Sequence, residues 1–156
     1  MLIRKANVED LDEIDKIYLE GVTDEIKIQF PSRSKSDIIK EMNQARKKRL
    51  SGFNKEMKSG KKNLWLVAEI NNKIIGFANA EIKDKKEGAL TMLYITKPYR
   101  KQGIGKRLTS ERITWLKKKK VKEISAGILI NNINSIKNLE NFGFEKTSLK
   151  MVKKIK

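Results

Sequence analysis

The segment Leu93-Tyr94-Ile95-Thr96-Lys97-Pro98-Tyr99-Arg100-Lys101-Gln102-Gly103-Ile104-Gly105-Lys106-Arg107-Leu108 carries the residue types whose spacing can do chemistry. An apolar strand-like run stops at Lys97-Pro98, a basic loop with two glycines follows, and a helical pattern begins. Gly103 and Gly105 have no Cβ, so an anion can come close to the backbone there. The first amides of a helix lack partners within it, and the positive end of the helix dipole lies among them. Strand, glycine loop and helix start together describe an anion site made of backbone, suited to a phosphate or pyrophosphate. Arg100, Lys101 and Lys106 flank the glycines and are the candidate phosphate side chains. The spacing is not G-x-x-x-x-G-K-[ST], and Leu108 stands where G-x-G-x-x-G would need its third glycine.

Composition narrows what else can react. The 156 residues include no Cys and no His. This excludes disulfides, a thiol nucleophile and a Ser-His-Asp triad, and no metal site is expected. Any acid–base chemistry falls to carboxylates, Tyr, Ser, Lys, backbone dipoles or solvent. Thirty-six Lys and Arg against 19 Asp and Glu give a net charge of +17, which reflects either an anionic partner or a genomic bias toward Lys. Residues 97–122 alone hold eleven Lys and Arg against Glu111. Within them, Lys117 to Lys120 read as a solvated helix end where cations complement the dipole. No apolar run approaches the ~20 residues of a membrane span, and no leader pattern opens the chain, so cytoplasm is the expected location.

The elements that must position the loop follow from periodicity. The length fits one domain over 1–156. Ile3-Arg4-Lys5 reads as a strand, and Asn7 as the cap of a helix over 8–20 with Val8, Leu11, Ile14, Ile17 and Tyr18 on one face. Residues 21–35, containing Phe30-Pro31, read as a loop. A second helix is expected over 37–58, capped by Ser36 and kinked at Ser51-Gly52. Residues 64–70 and 74–82 form a hairpin about Asn71-Asn72-Lys73, and 89–95 a third strand. A helix follows over 103–118 with Ile104, Leu108, Ile113 and Leu116 inward, then a strand over 121–130 and a short helix over 134–142 ended by Gly143. One or two final strands are expected in 144–155.

Arg100-Lys101-Gln102-Gly103-Ile104-Gly105 resembles the [QR]-x-x-G-x-[GA] acetyl-CoA signature of the GNAT N-acetyltransferase superfamily. Ile75-Gly76-Phe77-Ala78 resembles its third strand, and Phe142-Gly143-Phe144 the G-F that ends its last helix. The order of elements agrees over essentially the whole chain. The resemblance implies a single α/β (α+β) domain, with a mixed sheet of 6–7 strands splayed in the middle and flanked by about four helices. Acetyl-CoA would lie in the split. The backbone of Leu93, Tyr94 and Ile95 would meet the pantetheine arm, the loop from Arg100 through Lys106 would hold the pyrophosphate, and Asn132 and Ser135 would keep polar positions beside the cofactor. An amine of an unidentified acceptor, small molecule or protein, would attack the thioester directly, with backbone N–H groups stabilising the oxyanion. The family also implies a possible homodimer.

Two departures bear on catalysis. Leu139 occupies the position where the family often has an acid Tyr, and Ala89 stands near its frequent strand Glu. Tyr94 and Glu81 are therefore the candidate catalytic side chains, with packing and simple exposure as their respective alternatives; Asp24 and Glu25 could also meet an amine. These departures keep a non-catalytic acyl-CoA-binding or regulatory protein in view. The basic stretches keep nucleic-acid association as a further, secondary alternative.

Overall fold

The computed structural model describes residues 1–151. The chain opens with strand β1 (Leu2–Lys5). Asn7 then caps a 3-10 turn over Val8–Asp10: its side chain accepts from the Glu9 and Asp10 amides while the Asp10 carboxylate accepts from the Asn7 amide. This reciprocal box satisfies donors that a helix start leaves bare. Helix α1 (Leu11–Gln29) follows. It runs through most of the segment expected to be a loop, because the buried face continues from Ile14 and Ile17 to Gly21 at helical spacing. A Cβ at Gly21 would lie 2.0 Å from the Tyr94 ring, so the missing side chain is what lets the helix pass. The helix stops at Phe30, whose φ of −132° and ψ of 76° are those of a residue held off helical angles by the following Pro31.

The expected second helix is two, α2 (Lys35–Gln44) and α3 (Arg46–Lys58). Ser34, not Ser36, caps α2, accepting from the Asp37 amide. The break falls at Ala45, and Gly52 lies inside α3 with open space around it. Arg46 and Arg49 both bond the buried Asp15 carboxylate, which fixes α3 against α1.

Strands β2 (Asn63–Ile70), β3 (Lys73–Ile82) and β4 (Glu87–Ile95) form an antiparallel meander. The β2–β3 turn places Asn71 and Asn72 at φ of 48° and 61°, the left-handed angles that a two-residue hairpin turn needs and Asn tolerates. After helix α4 (Ile104–Lys118), β5 (Glu123–Ala126) joins β4 in parallel, and α5 (Ile133–Glu140) follows. Among the described residues the sheet has five strands in the order β1-β2-β3-β4-β5, fewer than the 6–7 expected, and five α-helices flank it, in keeping with the expected number of about four. The shortfall lies in the expected final strands, and one other strand is shorter than expected. The strand expected over 121–130 is only four residues long, since the chain leaves the sheet at Gly127. Residues 144–151 form no strand: this polar stretch offers little apolar surface to bury, and Leu149 and Met151 are exposed. Residues 152–155 of that expected strand lie outside the described residues.

Side chains alternate across the sheet into two cores. One face packs Ile75, Ala78, Ala80 and Leu90 against Ile104, Leu108 and Leu116 of α4 and Leu139 of α5. The other packs Trp65, Val67 and Phe77 against Ile14 and Ile17 of α1 and Phe53 of α3, with Trp65 and Phe77 stacked 5.8 Å apart.

Candidate active site

The sheet opens between β4 and β5. Their pairing covers only Glu87–Leu90 against Glu123–Ala126, so among the described residues the second half of β4 has no strand neighbour on that side. The phase of the β3–β4 ladder tells which backbone groups face the gap. The Thr96 amide donates to the Ile75 carbonyl, so 75/96 is a hydrogen-bonded pair. In an antiparallel ladder such pairs alternate with non-bonded ones. Phe77/Tyr94 is therefore bonded, while Gly76/Ile95 and Ala78/Leu93 are not. Tyr94 spends its backbone on β3; Leu93 and Ile95 turn theirs into the split. The Ile95 carbonyl accepts from Arg100 Nε at 2.8 Å, which leaves the Leu93 N–H and C=O and the Ile95 N–H as the open edge.

The edge leads into the glycine loop. A 3-10 turn over Lys97–Tyr99 is followed by Lys101 at φ 61° and Gly103 at φ 77°, and α4 starts at Ile104. Two left-handed residues so close together turn successive amides toward one side. Among the described residues none of the amides from Lys101 to Lys106 donates to another backbone carbonyl. Nothing among the described residues lies within 4 Å of a Cβ built on Gly103, so the loop's mouth is open; a Cβ built on Gly105 would lie 3.5 Å from the Leu93 and Ile95 side chains, so the helix start is seated on the strand. Ile104 is buried in the core beneath. Lys101, Gln102 and Lys106 are exposed, and Gln102 donates to the Pro98 carbonyl.

Arg100 takes a different place from the one expected for its side chain. Its guanidinium is turned to α1, bonding Asp24 at 2.8 Å and Glu20 at 3.3 Å as well as the Ile95 carbonyl. It ties α1 to the end of β4 rather than reaching outward beside the glycines. Burial raises the Asp24 pKa, but the bonds from Arg100 and Lys97 outweigh it and hold the carboxyl below its usual value.

Across the gap, Asn132 caps α5 by accepting from the Ser135 amide at 3.3 Å. Both residues are half-buried. Leu139 is in the α4-side core. Asn138 donates to Thr109 Oγ1, which also accepts from Arg112.

The opposite face of β4 belongs to α1 and α3. The Tyr94 ring lies over Gly21 and packs edge-on to Tyr18, with its hydroxyl donating to Glu25 at 2.7 Å. Burial, then the Glu25 charge, push this phenol far above its usual pKa, so it stays neutral. Glu81 is directly opposite Ala89 in the ladder and shares its face, so a carboxylate stands one strand away from the place where Ala89 supplies none. Glu56 of α3 is close by: burial raises its pKa, the Trp65 N–H draws it down, and the Glu81 charge raises it further. The ladder slips between Ala78 and Ala80, where Thr91 and Met92 together oppose Asn79. Thr91 Oγ1 donates to the buried Asn79 side chain at this bulge.

Arg112, which is 3 % exposed, lies outside the candidate residues read from the sequence. A signal was available. Arg112 falls at i+4 from Leu108 and four before Leu116, on the stripe that Ile104 begins, so a charged residue interrupts an otherwise apolar face.

The sequence profile of the Acetyltransferase (GNAT) family matches residues 22–144. A search of curated protein sequences finds no match. Among solved structures, the chain is similar to PaiA N-acetyltransferase from Thermoplasma acidophilum in complex with coenzyme A: TM-score 0.74 and 23% identity, covering 90% of this chain and 87% of that one. It is also similar to ribosomal-protein-alanine N-acetyltransferase from Brucella melitensis (TM-score 0.69, 22% identity, 95% and 86% covered). A predicted acetyltransferase with acetyl-CoA from Clostridium acetobutylicum gives a TM-score of 0.69 at 19% identity, with 98% and 95% covered.

Proposed function

The chain belongs to the GNAT family of acetyltransferases, and from that premise we propose that it transfers an acetyl group from acetyl-CoA to an amine. One observation carries the reading: the open backbone edge at Leu93 and Ile95 leads directly into six amides, Lys101 to Lys106, with no backbone partner among the described residues. An extended amide-bearing arm fits the edge, and a pyrophosphate fits the amides at the positive end of α4. Lys101 and Lys106 supply charge at its rim. Acetyl-CoA supplies an activated acyl carbonyl. Transfer forms one amide C–N bond, breaks one C–S bond, and passes a proton from the amine to the departing sulfur, directly or through solvent.

The chain's own residues divide the remaining work. The Leu93 N–H, which faces the split, is the donor assigned to the carbonyl oxygen as charge develops there. Glu81 is the candidate base on the acceptor face, because it lies opposite Ala89 and beside Glu56. Tyr94 orients Glu25 and anchors α1, a role its buried, committed hydroxyl serves better than proton delivery. Glu25, Glu56 and Glu81 give this face a local negative character that favours approach of an amine as its ammonium despite the +17 of the whole chain, with Glu81 taking the extra proton before the neutral amine attacks. The similarity to proteins named as N-acetyltransferases supports an amine acceptor.

The test is acetyl-CoA-dependent thiol release against a panel of amines, from polyamines to peptide N-termini. Turnover with any of them, lost in Gly103→Glu, supports the reading. Acetyl-CoA binding without turnover across the panel favours the alternative that Leu139 motivates, a non-catalytic acyl-CoA binder.

A further inference from the structure

Arg112 is a cation in a place where a hydrocarbon would be cheaper. It is on the buried stripe of α4 between Leu108 and Leu116, and among the described residues no carboxylate bonds it. Burial alone lowers its pKa, to about 10, so it remains charged at neutral pH. A lone buried charge is costly unless its hydrogen bonds are well placed. Its Nη1 donates to the Asn79 and Met92 carbonyls, both at 3.1 Å, and Nη2 donates to Thr109 Oγ1 at 3.1 Å. Those two carbonyls are the ones the β3–β4 bulge displaces from the ladder.

The Met92 carbonyl shares its peptide group with the Leu93 N–H. That N–H is part of the open edge facing the split. A cation bonded to the oxygen of a peptide draws electron density from its N–H and makes it a stronger donor, and the dry surroundings preserve the effect. We propose that Arg112 is a positioning residue for acyl transfer: it locks the β4 bulge and polarises the Met92–Leu93 peptide, so that the Leu93 N–H binds the thioester oxygen more strongly as negative charge builds there. The inference rests on the acetyl-CoA reading above. It explains why the stripe keeps a charge, and why the charge has no carboxylate partner: a neighbouring anion would cancel the field at the Leu93 N–H.

The direct readout is the carbonyl stretch of acetyl-CoA labelled with carbon-13 at the thioester carbon, bound to the full chain and followed by isotope-edited infrared spectroscopy. This requires no acceptor. In wild type the band is expected below that of acetyl-CoA in water, and an unshifted band overturns the inference without any variant. Arg112→Lys and Arg112→Gln both lose the fork, but only Lys keeps the charge. The downshift should be largely retained in Lys and lost in Gln, with acetyl-CoA affinity by calorimetry similar in both. Equal bands in the two variants would reduce Arg112 to a structural filler and overturn the inference. If wild type does not bind acetyl-CoA at all, the parent reading fails and takes this one with it; binding with an unshifted band removes this one alone.

Discussion

Tyr94 shows how one residue's surroundings set its role. Its ring occupies the space that a side chain at Gly21 would need, and its hydroxyl is held by Glu25. Gly21→Ala should therefore cost about 1–3 kcal/mol of stability, the range for overpacking a filled core, read by urea denaturation. Tyr94→Phe removes one hydrogen bond and should cost about 1 kcal/mol. Because the phenol is not assigned the acid's role, kcat in that variant should stay within about tenfold of wild type. A general acid would instead lose ~10²–10⁴-fold. Glu81→Gln is expected to do the opposite: stability nearly unchanged and kcat/KM lowered by ~10²-fold. Removing the Glu81 charge should also let the Glu56 pKa fall, a shift that carboxyl carbon-13 resonances would report.

At the scale of elements, α1 is attached to the sheet at both ends by carboxylates. Near its start, Asp10 is bonded by both terminal Arg4 nitrogens; further along, Asp24 and Glu20 meet Arg100. The Arg4 hydrogen bonds hold the Asp10 pKa below its usual value against the cost of burial, and Asp24 is lowered as well. A carboxyl whose pKa is lower folded than unfolded adds stability above the unfolded value, about 3.9. That stability is lost as pH falls through the lower, folded value. Unfolding midpoints should thus be insensitive to these two groups between pH 5 and 8, by this reasoning, and fall below about pH 4. Asp10→Asn should flatten part of that acid slope, and the comparison of variant and wild type in urea at each pH checks it.

Much of this arrangement was legible beforehand, and the exceptions have physical causes. The hairpin at Asn71-Asn72, the capping role of Asn7 and the strand–loop–helix around Gly103 are written in local residue types, and each is where periodicity places it. The continuation of α1 past residue 20 was missed because its buried face passes through a glycine that only Tyr94, far along the chain, explains. The break at Ala45 has no local signal of the kind a Gly or Pro gives; it is set by Arg46 and Arg49 reaching back to Asp15. Arg100 shows the same limit in the site. Its place in the signature is readable, but the direction of its side chain depends on carboxylates some 76 residues earlier.

For the whole molecule, charge is the dominant property. A net +17 would draw a polyanionic cosubstrate toward the loop, while in the proposed reaction the carboxylates on the opposite face of β4 would meet the amine. Raising ionic strength from about 0.05 to 0.5 M shrinks the Debye length roughly threefold and should weaken acetyl-CoA binding several-fold, mainly through association rate. Among the described residues no helix is long and apolar enough to cross a membrane. In the proposed reaction the amides of Lys101 to Lys106 hold the cosubstrate's phosphates. Calorimetric titration of acetyl-CoA into wild type and Gly103→Glu, with Gly103→Ala as control, tests it most directly. Any side chain at φ 77° costs about 1–2 kcal/mol of backbone strain, so both variants share that penalty. Only Glu adds a negative charge at the mouth. Saturable one-site binding is expected in wild type, weaker binding in Ala, and none measurable in Glu. Equal binding by folded Glu and Ala variants, or no binding by wild type, would contradict it.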